Sequence, residues 1–155
     1  MKGKFVFLCF VVGFSTMVVA GEDLNSSRWS LGWSNKATII SKENKHTYVR
    51  VVQGPDDLRL AYIVSGEGAC AAGVSEFKEK GSVNGKAVNF SGSCSDENYK
   101  ELVPESEAEE ALVEKEFLSG KNVIFKIGKL PKRTFSSERF KSTVESVGLN
   151  VSEVE

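Results

Sequence analysis

The chain has a single histidine, three cysteines and no CxxC pair, and each scarcity narrows the chemistry open to it. With His46 as the lone imidazole, a His/Cys zinc site has too few ligands at the usual spacings. No GxSxG elbow marks a nucleophilic serine, and Ser91-Gly92-Ser93 is only a turn-like stretch beside Cys94. The small residues from Gly66 to Gly73 lack the Lys-Ser/Thr pair and following helix of a phosphate-cradling loop. There is no basic excess either. The 20 Lys and Arg are outnumbered by 21 Asp and Glu, which argues against a nucleic-acid partner.

The long apolar run is confined to the start. Lys2 and Lys4 precede Phe5 to Val19, and Val18 and Ala20 set small residues ahead of Gly21. This is the pattern of a cleaved signal peptide over residues 1–20. The run is short for a spanning helix and ends at Gly-Glu-Asp with no basic cluster, so no membrane span is expected after cleavage. Cys9 lies inside the run without the small residues that precede a lipidated cysteine. The leader holds two basic residues and no acid, leaving 18 basic against 21 acidic residues, a net charge of −3. The remaining chain of about 135 residues suits one exported domain over 28–149, with a polar lead at 21–27 and a disordered tail at 150–155. Export means periplasmic or extracellular, and an even cysteine pair there reads as a disulfide, Cys70 to Cys94, rather than a metal pair.

From Arg28 the pattern is β-like. Trp29, Leu31 and Trp33 alternate with small residues, 34–36 reads as a turn, and 37–41 and 46–53 are rich in β-branched and aromatic residues. Gly54-Pro55-Asp56-Asp57 is a turn signal. Leu58, Leu60, Tyr62 and Val64 then alternate in the clearest strand. Linkers this short predict an antiparallel meander. Trp29, Trp33, Tyr48 and Tyr62 read as core before ligand surface. Between the cysteines, Asn84-Gly85 is a type I′ hairpin signal with Val83 opposite Lys86, and Phe77 and Phe90 are the apolar anchors.

Asp96 to Glu116 is dominated by acid, and Ser106 to Glu109 has capping-box spacing, so a helix of about three turns runs to a stop at Gly120. Residues 121–130 alternate as a strand. Ser136 is the expected N-cap of a last helix, stapled by Phe135 on Phe140 and ended at Gly148. The fold class is α+β: mainly antiparallel sheet, meander or sandwich-like, with an acidic helix, a short C-terminal helix and one disulfide.

Charge is the feature that suggests function. The acidic stretch is followed at once by Lys121, Lys126, Lys129, Lys132, Arg133, Arg139 and Lys141. One reading is a pair of docking faces, Glu105, Glu109 and Glu110 for a basic partner and Lys129, Lys132, Arg133 and Lys141 for an anionic one. The other is two solvated faces that partly neutralise each other. For catalysis, His46 could serve as a base, but neighbouring glutamates such as Glu109 and Glu110 point to different sides of a helix. No cofactor, metal or catalytic residue is implied. The sequons at Asn25, Asn89 and Asn150 matter only in a eukaryotic exporter.

The ending FLSGKNVIFKIG…TFSSERFKSTVESVG resembles that of small exported bacterial proteins of the invasion-associated locus B type. The resemblance covers about the last forty residues and implies a periplasmic or surface accessory protein with no catalytic residues to carry over. The expectation is a non-catalytic exported binding protein acting on another exported protein or an envelope component. An inhibitor or immunity protein is its most concrete form. The alternatives are a small envelope-acting hydrolase and a structural envelope component.

Overall fold

One antiparallel sheet curls into a half-barrel around the aromatic core. The computed structural model describes residues 24–53 and 58–151. The segment 1–20 expected to be a leader, Gly21 to Asp23, the expected turn at 54–57 and residues 152–155 lie outside the described residues.

Among the described residues the strands are β1 (Ser30–Leu31), β2 (Ala37–Ile40), β3 (Thr47–Gln53), β4 (Leu58–Ser65), β5 (Glu76–Val83), β6 (Lys86–Asp96), β7 (Tyr99–Pro104), β8 (Val123–Ile127) and β9 (Arg133–Phe135). Helix α1 (Glu107–Leu118) joins β7 to β8, and α2 (Phe140–Ser146) follows β9. The sheet order is β1-β2-β3-β4-β7-β6-β5-β8-β9. The first four strands are the expected meander, with Tyr62 opposite Val49 and Val49 opposite Ile39. The Asn84-Gly85 hairpin is also as expected: φ is 49° and 81°, and Val83 faces Lys86.

After β4 the chain must pass β7 and β6 to reach β5. The disulfide lies on this crossing, bonding Cys70 to Cys94 of β6. Two backbone bonds fasten the same loop to the β6–β7 turn, Gly66 N–H to the Asn98 carbonyl and Cys70 N–H to the Glu97 carbonyl. Glycine is needed here for its backbone freedom, since Gly66, Gly68 and Gly73 take φ of 115°, 74° and 77°.

The structure departs from the sequence expectation at β9, a strand not expected between 130 and the last helix, and in three further places. Strand β7 falls inside the acidic stretch, where only Tyr99, Leu102 and Val103 offer apolar surface, yet it occupies a central position between β4 and β6. The first strand is shorter than 28–33, because Ser34 and Asn35 take positive φ and turn the chain early. The last helix begins at Phe140 with Arg139 as N-cap, not at Ser136. The Ser136 hydroxyl accepts from Glu138 N–H instead, and Trp29 takes the carbonyls of both Ser136 and Glu138.

The helix-bearing inner face holds the main core. Trp29 stands edge-on to Phe117 of α1 and Phe140 of α2, at 5.1 and 4.9 Å between ring centres. Phe125 packs against Phe135, Phe90 and Tyr62. A smaller cluster of Tyr48, Ala61 and Ile63 lies on the outer face, so β4 is covered on both sides.

Candidate functional site

The acidic candidates are engaged within the fold. Ser106 caps α1 by accepting from Glu109 N–H. Glu109 Oε1 in turn accepts from both the backbone N–H and the side-chain amide of Asn89, at 2.8 and 2.9 Å. These bonds, the Asn89 backbone one foremost, hold the Glu109 carboxyl below the usual carboxylate range. Glu110 pairs with Arg59 at 2.6 Å and Glu105 with Lys78 at 3.1 Å. Glu116 takes Lys86 and Asn84, which lower its pKa as well. The acidic face of α1 thus fastens the helix to the β5–β6 hairpin and to β4.

The basic candidates separate into two groups. Lys141 lies exposed on α2, 3.9 Å from Glu145. Lys129 and Lys132 lie exposed on the β8–β9 connection, and Arg133, half-buried, opens β9.

Arg133 lines a cleft of about 370 Å³ at one end of the half-barrel. Leu130 and Pro131 form one wall beside it, and the loop Gly66 to Ala69 forms another. Asn44, His46 and Tyr62 also line it, with Glu67 the acid among them. A concave mouth of this size, with apolar walls and a few convergent polar groups, is the usual form of a ligand site in a curled sheet.

The groups in and beside this mouth sense one another. Tyr62 stacks its ring into the core, and burial pushes its phenol up; the Arg133 charge opposes that rise and the Glu43 charge adds to it. Glu43 accepts from Thr134 N–H at 2.9 Å, on the strand that carries Arg133. Burial raises the Glu43 carboxyl, but the bonds from Thr134 and the Arg133 charge together hold it low. His46 is exposed, and its backbone N–H is held by the Asn44 side chain at 2.9 Å. The half-buried Arg133 guanidinium and the exposed His46 imidazole line the same cleft and offer donors to an anionic group.

Of the charged docking candidates, Arg133 lines this cleft, beside His46. Tyr62 reads as core in the sequence and is core in the fold, and its place beside the cleft follows only from the curl of the sheet. Glu43 sits in an ordinary polar loop, and only the long-range contact with Thr134 sets its position. Among the described residues, no three His, Cys, Asp or Glu side chains gather as a metal site.

No protein-family model matches the chain, and neither a curated protein nor a solved structure does.

Proposed function

We propose that this chain is a non-catalytic, exported binding protein that holds an acidic group of another exported protein in the mouth of its half-barrel. The observation that carries this reading is the place of Arg133 in the cleft, with Lys129 and Lys132 on the connection that leads into it. A guanidinium lining the concavity, with two exposed lysines close by in sequence, favours an anion and speeds its encounter. Glu67 on the opposite wall disfavours a dense polyanion and selects a single acidic side chain or terminus.

Export is supported by the leader pattern at 1–20 and by a disulfide of the kind that oxidising compartments maintain. Among the described residues no helix is long and apolar enough to cross a membrane. An inhibitor or immunity protein is the form we favour, since such a protein works by occupying a partner's surface.

The test is capture from envelope extract with the tagged full chain, exported and oxidised, beside the triple variant Lys129→Glu, Lys132→Glu, Arg133→Glu. A stoichiometric protein partner that the variant loses, and that added salt weakens, supports the reading. Equal capture by both proteins would overturn the assignment of the cleft. Recovery of only glycan, lipid or the chain itself would favour a structural envelope component.

A further inference from the structure

A second hollow, of about 240 Å³, lies on the outer face of the sheet. The register fixes its layout. Tyr48 and Arg50 follow one another along one face of β3, His46 comes just before the strand, and across the β2–β3 pair Ile40 lies opposite Tyr48 and Thr38 opposite Arg50. Leu24 completes the apolar lining, and Lys45 and Ser65 join His46 at one end.

The two ends differ. At the Arg50 end the guanidinium is already used: Nη2 donates to the Tyr99 hydroxyl at 2.6 Å and lies 3.5 Å from Glu101. Arg50 Nε is buried without a hydrogen-bond partner, and the guanidinium as a whole is less accessible than the Lys45 and His46 end. At the other end Lys45 and His46 are exposed. The hollow therefore has an apolar run in its middle and a cationic, hydrogen-bonding group at its open end.

We infer that this hollow binds a short-chain amphiphile with a carboxylate head, the head at Lys45, His46 and Ser65 and the tail along Ile40, Tyr48 and Leu24. Its volume lies below the roughly 300–1,000 Å³ of sites for drug-sized ligands, which favours one short chain over a ring system or a long lipid. Charge complementarity sets the sign of the head, and the apolar lining sets the tail. This site shares His46 and Ser65 with the mouth cleft, and Lys45, Ile40, Tyr48 and Leu24 belong to it alone, so shifts at those four residues distinguish it from the proposed function.

Octanoate is the probe, followed by amide and methyl NMR shifts on the full chain. Octanamide serves as the neutral-headed control and acetate as the tailless one. Octanoate is expected to shift Leu24, Ile40 and Tyr48 saturably. Octanamide should bind about tenfold more weakly, the loss of one charge-assisted contact, and acetate should leave these residues unmoved. Lys45→Glu, a surface change that leaves the sheet intact, should weaken octanoate by a similar factor and leave octanamide unchanged. Equal binding of octanoate and octanamide, indifference to Lys45→Glu, shifts centred on Leu130 and Arg133 instead, or no saturable shift at all would each overturn the inference.

Discussion

Trp29 donates its indole N–H to the carbonyl of Ser136 at 2.9 Å, across 107 residues of sequence. Its backbone N–H goes to the Glu138 carbonyl at 2.8 Å, and its own carbonyl accepts from the Thr143 hydroxyl. One residue at the start of the sheet therefore fastens the segment between β9 and α2, while its ring fills the space between α1 and α2. A second tie, Lys42 N–H to the Thr134 carbonyl, joins β9 to the loop before β3. These contacts curl the sheet and bring Arg133 toward His46.

Trp29→Phe keeps an aromatic ring but leaves the buried Ser136 carbonyl without its donor. The expected cost is about 1–3 kcal/mol, before any added cavity cost. A urea titration should show a lower midpoint at unchanged slope, since the change acts on stability rather than on the surface exposed by unfolding.

Removing the Cys70–Cys94 bridge by the double serine variant should cost about 3 kcal/mol on the chain-entropy model. The bridge pins the crossing loop that forms a wall of the mouth cleft. Hydrogen exchange should therefore rise first at residues 66–75, with β3 and β4 still protected.

Acid should loosen the clasp between α1 and the β5–β6 hairpin. Glu109 and Glu116 titrate below the ordinary value of 4.5 in the fold, so the folded protein binds fewer protons there than the unfolded chain. Their contribution is present above that value and is lost as pH falls through the folded values. Glu109→Gln with Glu116→Gln should flatten the acid limb of a stability-against-pH curve, with little change in its slope above neutrality.

Gly81→Ala and Gly92→Ala separate two kinds of crowding. A Cβ at Gly81 would stand 2.6 Å from the Lys126 carbonyl, on the strand paired to it, and backbone there cannot yield. A Cβ at Gly92 would meet the Phe77 ring, which lies over it but can turn away at the cost of its contact with Lys100. Gly81→Ala should lose about 1–3 kcal/mol and Gly92→Ala less. Thermal unfolding of the two variants side by side measures the difference.

The local part of the fold was legible in the residues. The meander, the Asn84-Gly85 hairpin, the Ser106 cap and the cysteine pair each rest on contacts or periodicities spanning a few residues or one loop. Strand β7 was not legible, because Tyr99, Glu101 and Val103 read as part of an acidic run until Arg50 on another strand gives Tyr99 and Glu101 a partner. The start of α2 was missed for a similar reason: Ser136 has the right chemistry for a cap, but Trp29 draws the carbonyls of Ser136 and Glu138 into the sheet closure. Of the site, composition isolated Lys129, Lys132 and Arg133. The partners that make a cavity around Arg133 come from β3, β4 and the loop at 66–69, and only the curl of the sheet unites them.

The most direct test of the account is an NMR titration of the full chain with N-acetyl-glutamate amide, a probe carrying one acidic side chain. The account predicts saturable shifts confined to His46, Tyr62, residues 66–69 and Leu130 to Arg133, abolished in Arg133→Gln. Shifts elsewhere, or the same shifts in Arg133→Gln, would contradict it.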